Sequence, residues 1–180
     1  MDDIILESAA IHRKAEKILE KYKLVEIWKS INAEVRFVGA FRADLMFDKD
    51  IDLHAYTKDL DAGKTLKAFA PLLADPRVLR CTYINGSETD EHCLEWHLAL
   101  KDDESGEVWT LDMIQILAGS ELDGVIEEAA DAVKRALTPE SHRKILELKK
   151  AAPAGNMICG IEFYRAVIED HVQTWSEFVE

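Results

Sequence analysis

Asp50 and Asp52 stand two residues apart in the run Lys49-Asp50-Ile51-Asp52-Leu53-His54. On an extended strand their carboxylates point to one face while Ile51 and Leu53 point to the other. Two carboxylates about 7 Å apart along a strand repel one another unless a cation lies between them. Ligands that are all oxygen select a hard ion, and Mg²⁺ carried with a nucleoside triphosphate is its usual form. Two-metal phosphoryl or nucleotidyl transfer calls for a third carboxylate from another strand. Two residues offer one. Asp112 stands alone among apolar neighbours in Thr110-Leu111-Asp112-Met113-Ile114, and Leu94-Glu95-Trp96 repeats that pattern; an acid is costly to bury unpaired. A hairpin folded around residues 103–104 places Glu95 opposite Asp112 and His97 opposite Thr110, with all four on one face. Asp112 is the favoured third ligand, and Glu95 is either the base or a supporting acid.

The elements that must position these groups can be read on either side. Val35, Phe37 and Val38 form a short strand ending at Gly39, where a residue without Cβ lets the backbone approach a ligand. The turn that follows, a helical stretch over Phe41 to Phe47, would present N–H groups as a phosphate seat. Nine residues separate Ala40 from Asp50. Upstream, Ile4, Ile11, Ala15, Ile18, Leu19 and Tyr22 recur at helical spacing and predict one long helix from Asp3 to Trp28. Downstream, Asp59 to Leu73 is helical, and Val78–Ile84, His92–Leu100 and Glu107–Leu117 read as strands. Beyond Gly119 the pattern is helical: Glu121 to Leu137, a helix started by Thr138-Pro139, a loop at Pro153-Ala154-Gly155-Asn156, and a capping box in Thr174-Trp175-Ser176-Glu177. The predicted architecture is α+β, a mixed sheet flanked by helices with a helical C-terminal extension. Residues 1–118 form the core with its N-terminal helix, and residues 119–180 form the extension of the same compact unit.

A strand, glycine and small residue, a nine-residue gap, Asp-Ile-Asp-Leu and a later isolated acid together resemble the DNA polymerase beta-like nucleotidyltransferase superfamily. Within it the chain is similar to small bacterial members such as the aminoglycoside and lincosamide nucleotidyltransferases. The resemblance covers residues 34–117. It implies a helix-flanked mixed sheet holding two Mg²⁺ ions on Asp50, Asp52 and Asp112, with Gly39 as the turn glycine. It also implies passage of a nucleoside monophosphate from a nucleoside triphosphate, ATP foremost, to a hydroxyl of a small molecule, with release of pyrophosphate. The family has Gly-Ser or Gly-Gly at the turn, whereas this chain has Ala40. The missing hydroxyl removes a phosphate hydrogen bond of roughly 1–3 kcal/mol, which backbone donors can replace. Arg42 and Lys49 are the candidates for added phosphate charge, or else surface residues.

Composition narrows the partners. The 180 residues carry 35 Asp+Glu against 22 Lys+Arg, a formal net charge of −13. That excess argues against nucleic acid as a partner, since phosphate backbones are gripped by clustered Lys and Arg. Six acids, all Asp, lie between Asp44 and Asp61, and eight lie between Glu88 and Glu107. Such a field suits a Mg²⁺-neutralised triphosphate and a cationic small-molecule acceptor. No apolar run reaches the ~18 residues of a membrane span, and the acidic start lacks a signal peptide's basic region. Cys81, Cys93 and Cys159 show no paired spacing, so a reduced, cytoplasmic protein with cysteines buried as small hydrophobes is expected. Trp96 and Trp109 either pack singly in the core or pair across the hairpin. The C-terminal helices would wall the acceptor pocket or build a homodimer. Two rivals stand beside the small-molecule enzyme: a nucleotide-binding module without turnover, and transfer to a protein acceptor.

Overall fold

A computed structural model describes residues 3–153, 155 and 158–180; Ala154 and Asn156 of the loop expected after Pro153 lie outside them. In chain order the described elements are α1 (Asp3–Lys21), α2 (Leu24–Ser30), β1 (Glu34–Phe37), α3 (Gly39–Arg42), β2 (Asp50–Thr57), α4 (Ala62–Leu73), β3 (Val78–Gly86), β4 (Cys93–Lys101) and β5 (Val108–Leu117). The helices α5 (Val125–Ala136), α6 (Pro139–Ala151), α7 (Gly160–Ile168) and α8 (Trp175–Phe178) follow. The five strands form one mixed sheet in the order β1-β2-β5-β4-β3. β2 and β5 run parallel, and the other neighbours run antiparallel. The fold is α+β, as the alternation of apolar periods predicts.

Strand alternation divides the sheet into an apolar and a polar face. Ile51, Leu53, Leu111, Met113, Trp96 and Leu98 point to one side, where α1, α2 and α4 cover them with Ile18, Leu19, Leu24, Trp28 and Phe69. Each large side chain buried there contributes roughly 1.5–3 kcal/mol. Covering that face accounts for a departure from the predicted first helix. The chain breaks after Lys21, and Lys23 takes a left-handed conformation at φ 51°. The break turns α2 so that Leu24 and Trp28 are fully buried, with the Trp28 indole N–H 3.4 Å from Met113 Sδ. A straight continuation would keep the phase of α1, whose apolar stripe is already satisfied. Trp109 lies opposite Leu100 and Trp96 opposite Met113, so the two indoles do not pair across the hairpin. Trp96 packs instead between Phe69 and Tyr83.

A second apolar cluster joins the C-terminal helices to the core. Ile145, Leu146 and Leu148 of α6 and Phe163 and Val167 of α7 enclose Ala43 and Leu45 from the α3–β2 connection, and Ile4 of α1. α6 starts as its sequence predicts: the Thr138 hydroxyl accepts the Ser141 N–H at 3.1 Å, with Pro139 in the first turn. At α8 Thr174 caps Glu177 N–H, but the Glu177 carboxylate accepts from Gln173 N rather than from Thr174. Of the cysteines only Cys93 is buried; Cys81, on the edge strand β3, and Cys159, at the start of α7, are exposed.

Candidate active site

The polar face of the sheet carries the predicted acids. The parallel register sets Asp50 beside Thr110 and Asp52 beside Asp112, and β4 sets His97 beside Asp112. One ligand oxygen from each of Asp50, Asp52 and Asp112 lies within 4.8 Å of the others. The hairpin differs from the expected one by two residues: Glu95 faces Ile114, and His97 faces Asp112. The cause is local. The Asp102 carboxylate accepts Ser105 N–H and Oγ–H, and Gly106 turns the chain at φ 72°, which centres the turn later. A two-residue slip preserves side-chain parity, so Glu95 and His97 stay on the acidic face.

Gly39 meets this face from β1. Its φ is 58°, and a Cβ there would collide with the Asp52 carboxylate. The glycine is therefore required twice, for the left-handed turn and for the approach to the acid. Val38 N–H bonds Asp52 C=O at 3.1 Å and ties the turn to β2. α3 begins at Gly39, earlier than the helical stretch expected from Phe41.

The acids repel one another. Burial first, then the charges of Asp50 and Asp112, push the Asp52 carboxyl up to about 7. Burial also raises Asp50, although its Oδ1 accepts the Thr110 hydroxyl at 2.7 Å. Among the described residues no Lys or Arg forms an ion pair or hydrogen bond with any of the three acids. A cation would relieve this repulsion, and the all-carboxylate donor set suits a hard divalent ion such as Mg²⁺. Beside the triad opens a cavity of about 510 Å³, lined by Gly39, Ala40, Asp48, Asp50 and Asp52 on one side and by α5, α6 and α7 on the other.

The remaining candidates separate. Glu95 does not join the triad; its Oε2 accepts from His97 Nε2 at 2.9 Å. The two hydrogen bonds of His97, to Asp112 and to Glu95, outweigh its burial and raise its pKa. Arg42 makes a two-pronged pair with Asp131 of α5, at 2.7 Å for each prong. Lys49 pairs with Glu107 at 3.2 Å. Neither basic residue lines the cavity.

The cation that does line it, Lys149, was missed by sequence reasoning. Lys149 is buried on α6, donates to Leu45 C=O at 3.2 Å and faces the Asp48, Asp50 and Asp52 charges, while burial lowers its pKa. Its signal was the spacing: four residues beyond Ile145, it falls on the apolar stripe rather than on the solvent face. Tyr164 of α7 lies beside it, buried and close to Gly160, its hydroxyl without a hydrogen-bond partner among the described residues.

No protein-family model matches the chain, and no curated protein sequence does. Solved structures do match in three dimensions. The Cid1 poly(U) polymerase with MgGTP bound superimposes with a TM-score of 0.55 at 14% identity, covering 93% of this chain and 50% of that one. GLD-2 in its complex with RNP-8 gives 0.56 at 12%, covering 91% and 64%. A cytoplasmic RNA terminal U-transferase gives 0.56 at 14%, covering 87% and 47%. The chain thus spans about half to two thirds of these proteins' length. These likenesses overturn the exclusion of nucleic acid drawn from the −13 charge, because enzymes named for RNA are built on this fold. Net charge averages over a whole surface, whereas a substrate meets one local part of it. Among the described residues no helix is long and apolar enough to cross a membrane. With its five-stranded mixed sheet, flanking helices and carboxylates gathered on β2 and β5, this chain has the nucleotidyltransferase fold of those solved structures.

Proposed function

We propose that this protein transfers a nucleoside monophosphate from a nucleoside triphosphate, ATP foremost, to a hydroxyl acceptor, with Asp50, Asp52 and Asp112 holding two Mg²⁺ ions. The observation that carries the reading is the carboxylate triad: three mutually repelling acids from two parallel strands beside a nucleotide-sized cavity. Bound Mg²⁺ would neutralise triphosphate charge and acidify the acceptor hydroxyl. The chain supplies the rest. Thr110 fixes Asp50, Gly39 brings the turn against Asp52, and Lys149 adds positive charge on the cavity wall opposite the acids. Asp112 would take up the hydroxyl proton through the oxygen that faces the ion, and Ile126, Val133 and Ile161 line the cavity with apolar side chains that would displace water from the donor. Ala40 contributes no hydroxyl, so backbone N–H groups and Lys149 carry the phosphate contacts.

Two classes of acceptor enter the test. An RNA 3′-hydroxyl leads, since neighbours of this fold are RNA terminal transferases, and small-molecule alcohols follow. Labelled nucleoside triphosphates are incubated with Mg²⁺ and each acceptor class, using the wild type and the Asp50→Asn/Asp52→Asn variant. Metal-dependent pyrophosphate release by the wild type alone is the expected result. Metal-dependent ATP binding without release on any acceptor assigns the chain as a nucleotide-binding module. Absence of metal-dependent binding in both proteins overturns the reading.

A further inference from the structure

The proposed chemistry leaves one side chain of the acidic face unassigned. His97 lies directly across from Asp112 in the β4–β5 register. Each of its ring nitrogens meets a carboxylate: Nδ1 is 2.6 Å from Asp112 Oδ1, and Nε2 is 2.9 Å from Glu95 Oε2. Each ring nitrogen is thus within hydrogen-bond reach of the carboxylate it faces.

The three acids of the triad differ in what surrounds them. Asp50 is held by the Thr110 hydroxyl, and Asp52 lies so near Gly39 that a Cβ there would collide with its carboxylate. For Asp112 the His97 bond is the one side-chain hydrogen bond among the described residues. An aspartate's terminal torsion is broad, so an unheld Asp112 would offer either oxygen, or both, at varying angles. Occupation of Oδ1 by the imidazole removes that freedom and leaves Oδ2 to face a cation. In many metal sites a carboxylate orients a ligating histidine; here a histidine is hydrogen-bonded to a candidate ligating carboxylate.

We infer that His97 is a positioning residue of the metal site: it holds Asp112 so that one oxygen is presented to the ion, while Glu95 anchors the far side of the ring. The inference rests on the triad being a metal site. It also moves Glu95 from candidate base to support, one residue removed from the ion. Folding does not call for the bridge. The side chains of His97, Glu95 and Asp112 are 29%, 25% and 39% exposed, and the apolar face beneath β4 and β5 is packed independently of them.

Mn²⁺ binding, followed by its electron paramagnetic resonance signal with and without a non-hydrolysable ATP analogue, separates the possibilities. It is measured on the wild type, His97→Ala and Glu95→Gln, beside steady-state kinetics and thermal melts. His97→Ala weakens Mn²⁺ binding about tenfold or more and lowers kcat about 10–100-fold. The ATP KM at saturating metal stays within about threefold, and the melting temperature shifts by no more than about 4 °C. Glu95→Gln moves Mn²⁺ affinity and kcat in the same direction by less. Wild-type Mn²⁺ affinity in His97→Ala overturns the inference whatever happens to kcat, as does a large loss of melting temperature. If His97→Ala does not fold, unchanged Mn²⁺ affinity in Glu95→Gln overturns it as well. Failure of the wild type itself to bind Mn²⁺ overturns the underlying metal-site reading, a result distinct from both.

Discussion

One strand builds both the candidate site and a structural clamp. Along β2 the residues Asp50, Asp52, His54 and Tyr56 alternate on the same face of the sheet. At the first end, Asp50 and Asp52 face a third acid and an open cavity, and burial and mutual repulsion outweigh the opposing charge of Lys149. At the other end, α5 lowers Glu127 onto the strand. Its Oε1 accepts the Tyr56 hydroxyl at 2.7 Å and lies 3.1 Å from His54 Nδ1, and all three residues are buried. Arg36 stacks 4.3 Å over the Tyr56 ring and pairs with Asp123 just before α5. The period-two polar pattern is identical at the two ends. What differs is the partner brought from a distant element: another carboxylate at one end, a complementary hydrogen-bonding set at the other. An acid among acids stores repulsion that a cation can relieve, whereas an acid among donors holds two layers together.

Substitutions at the two ends should therefore act in opposite directions. Asp52→Asn is expected to abolish transfer by about 10³-fold, roughly 4 kcal/mol. It should also raise the metal-free melting temperature by several degrees, since removing charge relieves the repulsion. An activity assay paired with calorimetry reads both; equal stability of the variant would show that the triad stores no repulsion. Glu127→Ala is expected to cost about 3 kcal/mol of stability, because the buried Tyr56 hydroxyl and His54 ring lose their shared partner. Denaturant melts measure this, and a cost under about 1 kcal/mol would mean that Glu127 is no clamp.

The slopes with pH should differ as well. Asp52 binds its proton up to about pH 7 in the folded chain, against an ordinary carboxylate value of 3.8. Its contribution is thus most favourable below that ordinary value, falls as pH rises from about 4 to about 7, and is flat above. Burial lowers the pKa of His54, although Glu127 opposes the shift. Its contribution is full above the ordinary histidine value near 6.5 and is lost as pH falls below it. Metal-free stability measured against pH in the wild type and in Asp52→Asn isolates the first slope as the difference between the curves. Saturating Mg²⁺ should flatten that difference.

The smallest effect concerns a residue that lies near the site but outside it. Arg42→Ala should cost under about 1 kcal/mol, as a partly exposed ion pair does, and should leave the ATP KM unchanged. A large rise in KM would return Arg42 to the phosphate role that its place after the glycine turn suggests.

Much of the site was legible because strand alternation is short-range. Asp50 and Asp52 declare a shared face within three residues, and Asp112 stands out because its neighbours are all apolar. Gly39 was legible as a close-approach glycine, and the structure adds that the group it approaches is Asp52. The register of the β4–β5 hairpin was not legible to the residue. It depends on how Asp102 caps a six-residue polar turn, and a displacement of two residues leaves the apolar pattern unchanged. Arg42 and Lys49 looked suited to phosphate because they are basic and adjacent in sequence to the motif. Their ion pairs with Asp131 and Glu107 come from α5 and the hairpin turn, which local patterning does not reveal. Lys149 was missed for the converse reason: it lies about a hundred residues from Asp50 and resembles any lysine near the end of an amphipathic helix until its phase is compared with Ile145.

The amino-acid sequence by itself determined the α+β class, the two-faced sheet and the acid pair on β2, because each follows from side-chain periods of two and 3.6 along the backbone. Only the tertiary structure decided which carboxylate completes the triad, that His97 rather than Glu95 touches it, and that Lys149 supplies the cation of the cavity. Those outcomes depend on register across the sheet and on the docking of α5, α6 and α7. Both are set by packing between residues far apart in the chain, where local preference carries no information.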